Sequence, residues 1–180
     1  MPIYNAGEYL ERAMTDVLSQ TLSEIEIICI DDGSTDGSLA VIKRMQEADA
    51  RVRILTETNA GPSIARNKGI SRARGEYIIF LDADDFYEST LLESLYTLAV
   101  KDNLDMAVVK FDLYNCHQDK FTTPIEEAHA GIFAPGAIVS KNEFPDFILE
   151  STTGYVWNKM FRTDFLREKG LVFDTELYVF

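Results

Sequence analysis

Three short polar stretches in this chain gather oxygen-bearing side chains: Tyr4-Asn5, Asp31-Asp32-Gly33-Ser34 and Asp82-Ala83-Asp84-Asp85. The last two directly follow the apolar runs Ile25–Ile30 and Tyr77–Leu81, which read as strands, and the first closes the remnant of another. Ligands of open α/β sheets bind outside the carboxyl ends of the strands. Carboxylates converging there repel one another unless a cation or a donor-rich ligand lies between them. A hard divalent ion, Mg²⁺ or Mn²⁺, is the natural partner, and such ions usually arrive with phosphates. A plainer role competes, because Asp and Ser also cap helices and close turns. The position of Asp82-Ala83-Asp84-Asp85 straight after an apolar strand favours ligand chemistry over capping.

Other chemistries find no support. The chain has no G-x-x-x-x-G-K-[ST] and no strand-following G-x-G-x-x-G, which removes a P-loop and a dinucleotide fingerprint. Cys29 and Cys116 have no metal-ligand spacing, and Cys29 reads as a small buried hydrophobe within its strand. His117 and His129 fall in an irregular segment and read as exposed loop residues. An acid pair after a strand also occurs in haloacid-dehalogenase-like phosphatases, but there it follows the first strand. A receiver-like domain gathers carboxylates with a later Lys, a part open to Lys110, yet it leaves Asp84-Asp85 and Arg66-Asn67 without a role.

The elements that must position these residues follow from periodicity. Leu10, Ala13, Met14, Val17 and Leu18 form one apolar helical stripe. A second helix carries Leu39, Ile42 and Met45, a third spans about Ser63 to Ala73, and a fourth carries Leu91, Leu92, Leu95, Leu98 and Ala99. Strands are predicted at Ile25–Ile30, Val52–Leu55 and Tyr77–Leu81, with a fifth extended run from Met106 to Tyr114. Helices alternating with apolar strands predict an α/β fold with an open, mostly parallel sheet. From Asn115 to Gly136 the chain reads as a long loop or hairpin, followed by a short helix near Phe144–Leu149.

With 180 residues the chain is long enough for one domain with a proper core. Thirty acidic against 17 basic side chains give a net charge of −13, which argues against nucleic acid as a partner. No signal peptide is recognisable, and no apolar stretch approaches the ~18 residues of a membrane span. The expected location is the cytoplasm.

Five ordered blocks carry a family resemblance. They are Pro2-Ile3-Tyr4-Asn5-Ala6, Leu18-Ser19-Gln20-Thr21, Ile30-Asp31-Asp32-Gly33-Ser34-Thr35-Asp36, Asn59 to Gly69, and Gly75 to Asp85. Together they resemble the inverting family 2 glycosyltransferases of GT-A fold, and Trp157-Asn158-Lys159 resembles a motif of bacterial members that build capsule, wall or lipid-linked polysaccharides.

The resemblance implies one GT-A catalytic domain over residues 1–180, with a donor-binding part at 1–100 and a partial acceptor part at 101–180. It also implies that the sheet lacks its first strand and that the domain is cut at both ends. The implied reaction moves a sugar from a nucleotide-diphosphate donor, a UDP-sugar, to a saccharide or lipid-linked acceptor with inversion, assisted by Mn²⁺ or Mg²⁺. Peripheral association with the inner face of the membrane would suit such an acceptor. Pro2, Tyr4, Asp32, Arg66 and Asp82 would bind the nucleotide-sugar: Tyr4 against the base, Asp32 on the uracil N3–H, Asp82 near the ribose. Asp84 would bind the metal, and Trp157 and Lys159 would lie on the acceptor side. The general base has no assured residue, Glu176 being the one late carboxylate that stands as a candidate. The alternative is a nucleotide-sugar-binding domain without turnover.

Overall fold

The computed structural model describes residues 1–123, 136–140, 142–143 and 154–176. Helix α1 (Tyr9–Leu18) buries Leu10, Ala13, Met14 and Val17 on one stripe, as the sequence spacing requires. Strand β1 (Pro2–Ile3) and strand β2 (Ile27–Asp31) run parallel, with Pro2 opposite Ile30 and Ile3 opposite Asp31. Helix α2 (Ser38–Ala48) crosses to β3 (Val52–Thr56), which pairs in parallel with the whole of β2. Ile25 and Glu26 stand outside this ladder. The Glu26 carboxylate is taken up by Arg53 at 2.6 Å and by the backbone N–H of Arg74 at 2.5 Å.

Helix α3 (Pro62–Arg72) leads to β4 (Tyr77–Ile79), and α4 (Leu91–Lys101) to β5 (Met106–Val108). The extended run predicted from Met106 to Tyr114 is two elements. After β5 the chain leaves the sheet, and Leu113–Asn115 (β6) pairs with Lys120–Thr122 (β7) in an exposed hairpin. A strand not foreseen, β8 (Lys159–Arg162), lies antiparallel between β4 and β5, ahead of the short helix α5 (Thr163–Glu168). The parallel arrangement therefore holds for β1-β2-β3, and β8 adds an antiparallel sheet of order β4-β8-β5. The helix expected at Phe144–Leu149 lies outside the described residues, as do His129 and most of the irregular segment.

At the position expected to lack its first strand, the sheet has the two residues of β1. Among the described residues, Ile27–Cys29 of β2 have a strand partner in β3 alone, with the Met1 amino group donating to the Ile28 carbonyl at 2.9 Å, and β4 has one in β8 alone. Between these two strand edges lies a cavity of about 360 Å³, lined by Ile25, Ile27, Ile28, Tyr77, Ile79 and Leu92 among others. The main core sits beside it, built from Ile3, Leu10, Met14, Cys29, Ile42, Val52 and Leu81. Burial pushes the Cys29 thiol up to about 11, so it behaves as the hydrophobe its strand context predicts.

Leu10 is fully buried in this core. Leu10→Ala is expected to cost about 2–5 kcal/mol in denaturant unfolding, and a loss under about 1 kcal/mol would place it outside the core.

Candidate functional site

The loop after β2 is built around Asp32. Its side chain is buried, with Oδ1 accepting the N–H of Ala60 at 2.8 Å and Oδ2 that of Gly61 at 2.8 Å. These bonds compensate the carboxylate for its lost water, and they tie the end of β2 to the start of α3. Gly61 (φ +94) and Pro62 at the first turn then set the direction of the helix. Gly33 (φ +76) lets the loop run close beneath: a Cβ there would stand 2.9 Å from the Asn59 nitrogen. Asn5, in the left-handed region, closes the other side by accepting the N–H of Thr35 at 2.8 Å and of Asp36 at 3.3 Å. Next to it Tyr4 is half exposed at 52%, and Pro2 sits in β1.

Helix α3 carries Arg66 to Asp82, and Nη2 donates to Oδ1 at 2.7 Å. The guanidinium also lies over the ring of Phe173, 5.5 Å from its centroid. Phe173 is held in turn by Asn67, whose amide donates to the Phe173 carbonyl at 2.8 Å and accepts its N–H at 2.7 Å.

The acidic loop beyond Asp82 is braced from two sides. The Tyr87 hydroxyl donates to the Asp82 carbonyl at 2.6 Å, and Asp16 of α1 accepts the Tyr87 N–H at 3.2 Å. Arg12 of α1 donates to the carbonyls of Asp84 at 2.6 Å and Asp85 at 3.3 Å. Asp84 is exposed. Burial first, and then the charges of Asp82 and Asp84, raise the Asp85 carboxyl to about 6. Burial also raises the Tyr87 phenol above its ordinary range.

Of the residues expected to bind donor and metal, the structure joins Arg66 to Asp82 directly, and Asp32 to the helix that bears Arg66. Asp84 follows in the same loop as Asp82. Trp157 and Lys159 lie in a different neighbourhood. Trp157 packs on Phe111 with centroids 4.6 Å apart and stacks on Tyr155 at 5.0 Å. Lys159 is buried in β8, donates to the Tyr155 carbonyl and to Asn158 Oδ1 at 2.8 Å, and is lowered to about 8 by burial. It lines a second cavity of about 290 Å³ with Tyr155, Phe80 and Phe173, so Phe173 is the link to Arg66. Glu176 is exposed, its N–H donating to Asp174 Oδ1 at 2.8 Å.

Arg12, Asp16 and Tyr87 escape the sequence reading, and Asn67 enters it only within the Arg66-Asn67 block. For Arg12 and Asp16 the spacing was available: they stand four residues apart on the polar side of a helix whose apolar stripe is plain. Nothing local in the sequence marks Asn67 as the partner of Phe173.

Among the described residues no three His, Cys, Asp or Glu side chains are grouped to hold a metal ion alone. Mg²⁺ and Mn²⁺ do not need such a cage when one or two carboxylates act together with substrate phosphates. An exposed Asp84 beside Asp82 fits that mode, as hard oxygen ligands open to a ligand's phosphates.

Residues 1–168 match the family model for glycosyl transferase family 2. The chain belongs to this family. A cholesterol galactosyltransferase of Borreliella burgdorferi is 31% identical over 190 aligned positions, covering 98% of this chain and 52% of that protein. The crystal structure of S. aureus TarS 1–349 in complex with UDP superposes with a TM-score of 0.79 at 23% identity, over 98% of this chain and 49% of that one. The mannosyltransferase PcManGT from Pyrobaculum calidifontis, in complex with GDP-Man and Mn²⁺, gives 0.68 at 18% identity, over 98% and 46%. The GT-A fold of this family is thus shared. The chain covers 52% of that galactosyltransferase, 33% of another curated relative and 17% of a third one.

The raised Asp85 gives a pH signature. Its ionised form is disfavoured in the fold, so stability is lost as pH rises through about 6 and regained below it. Asp85→Asn is expected to raise the Tm at about pH 7.5 in EDTA, with the gain shrinking towards about pH 5. A gain that is the same at both pH values would contradict the assigned cause.

Proposed function

We propose that this chain carries the donor-binding part of a family 2 glycosyltransferase, at residues 1–100, with acceptor-side residues in 101–180. The reaction moves a sugar from a nucleoside-diphosphate donor, a UDP-sugar, to a saccharide or lipid-linked acceptor with inversion. The observation that carries the reading is the acidic loop Asp82–Asp85, joined at Asp82 to Arg66 of α3, the helix whose start Asp32 holds. The UDP in the TarS neighbour supports the donor class, and the sterol acceptor named for the Borreliella relative supports a lipid acceptor.

In this reading Tyr4 offers its exposed ring to the base. Asp32 spends one lone pair of each oxygen on Ala60 and Gly61, and retains capacity for the uracil N3–H. Asp82, fixed by Arg66, faces the ribose, and Arg66 adds positive charge near the diphosphate. Asp84 would hold Mn²⁺ or Mg²⁺. When bound, the ion supplies Lewis-acid stabilisation of the leaving nucleoside diphosphate, and the Mn²⁺ of the mannosyltransferase neighbour supports that assignment. The acceptor hydroxyl bonds to the anomeric carbon as the bond to the β-phosphate oxygen breaks, and its proton goes to a general base. Glu176 is the candidate base, and Trp157 and Lys159 contribute on the acceptor side. Among the described residues no helix is long and apolar enough to cross a membrane. The proposed place of reaction is the cytoplasmic face of the membrane, reached by peripheral association.

Calorimetric titration with UDP, GDP and TDP, with Mn²⁺ or with EDTA, tests this reading. UDP is expected to bind best, and more tightly with metal than in EDTA, and Asp84→Ala should abolish the metal-dependent part while leaving the Tm unchanged. Equal affinity in EDTA would overturn the metal assignment, and tighter GDP binding would overturn the role given to Asp32.

A further inference from the structure

The acidic loop confronts the fold with a local problem: Asp82, Asp84 and Asp85 lie within four residues, and carboxylates this close repel one another. Two guanidinium groups answer it in different ways. Arg66 is spent on a carboxylate, Asp82 Oδ1 at 2.7 Å. Arg12 is spent on backbone, its Nη2 donating to the carbonyls of Asp84 and Asp85. The Arg12 guanidinium carbon lies over the ring of Phe86, 3.5 Å from its centroid, and 5.6 Å from that of Tyr9. A cation placed over an aromatic face is held in direction as well as in energy. Its Nε is buried without a partner among the described residues, a cost that shows how closely the group is confined. One turn further along α1, Asp16 accepts the Tyr87 N–H. The loop 84–87 is therefore tied to α1 at both ends, and neither tie takes up the Asp84 carboxylate.

We infer that Arg12 is a positioning residue. It holds the Asp84–Asp85 backbone so that the Asp84 carboxylate stays directed towards a divalent cation and a nucleoside diphosphate. The inference rests on the proposed donor site and adds to it a cation that acts through the loop and touches neither ligand. Arginine suits this task because one Nη2 carries two N–H groups for the two carbonyls while the guanidinium carbon sits over the Phe86 ring. Lysine keeps the charge and N–H donors and loses the planar guanidinium over Phe86, so it should retain part of the effect.

The test uses the 180-residue chain with Arg12→Ala and Arg12→Lys. Mn²⁺ affinity is read by electron paramagnetic resonance with UDP present, UDP affinity by calorimetry in EDTA, and loop exchange by hydrogen–deuterium exchange. Substitutions that disturb the support of a metal ligand typically cost 10–100-fold in metal affinity. Arg12→Ala is expected to weaken Mn²⁺ by about tenfold, to leave any UDP affinity in EDTA unchanged, and to speed exchange in the peptide spanning Asp84–Tyr87. Arg12→Lys should recover part of the Mn²⁺ affinity. Unchanged Mn²⁺ affinity with unchanged exchange would overturn the inference. Equal losses of Mn²⁺ affinity, metal-free UDP affinity and Tm would also overturn it, by showing a general structural strut. If the unaltered chain binds no UDP under any condition, the donor-site reading fails. The exchange experiment still decides whether Arg12 holds the loop, and unchanged exchange would overturn that part as well.

Discussion

Everything at the strand ends depends on one buried carboxylate receiving two backbone N–H groups. Asp32 bonds to Ala60 and Gly61 and so fastens the end of β2 to the first turn of α3. Hydrogen bonds to an ionised acceptor are about twice as strong as neutral ones, and here they also satisfy donors at a helix start that would otherwise be unpaired. With that joint made, α3 points Arg66 at Asp82, and Arg66 fixes the first carboxylate of the acidic loop. Breaking it would free the helix start, the guanidinium and the loop together. The close approach of Gly33 to the Asn59 backbone has the same origin, because the two loops must touch for Asp32 to reach.

The second constraint is charge. A chain of net charge −13 places three aspartates in one loop, and the fold manages this with directed cations. Arg66 neutralises a carboxylate, while Arg12 grips carbonyls and lies over the Phe86 ring. Asp85, half withdrawn from water beside two like charges, registers the remaining strain in its raised pKa. Such an arrangement leaves Asp84 facing solvent, which is what a site for a metal-bound diphosphate requires.

Much of this was legible in the sequence. The α1 stripe and the apolar β2 follow from short-range spacing and were found, with Asp31 closing β2, whereas β4 ends at Ile79 and Phe80-Leu81 separate it from Asp82. Boundaries drifted where side chains compete with the ladder, as at Glu26, which binds two arginine neighbours in place of joining β2. Pairing between distant segments left no local trace. Lys159–Arg162 is a short run that pairs on both sides only because β4 and β5 present edges at the right separation. The same holds for Asn67 with Phe173 and for Arg12 with the acidic loop, contacts that span 106 and 72 residues. The resemblance named Tyr4, Asp32, Arg66, Asp82 and Asp84, and the structure gives three of them a specific geometry. Trp157 packs with Phe111 and Tyr155 in an aromatic cluster of its own, while Lys159 lines a cavity with Tyr155 and Phe173, the ring that also meets Arg66.

The central claim is that the strand ends of β1 and β2, the start of α3 and the loop Asp82–Asp85 form one nucleotide site. A backbone ¹H–¹⁵N correlation spectrum of the chain, titrated with UDP in the presence of Mg²⁺, tests it most directly. The account predicts shift changes concentrated at Tyr4, Asn5, Asp32–Thr35, Ala60, Gly61 and Asp82–Asp85, with little change around Trp157. Shifts concentrated around Trp157, or along the cavity between β2 and β4, with the acidic loop unmoved, would contradict it.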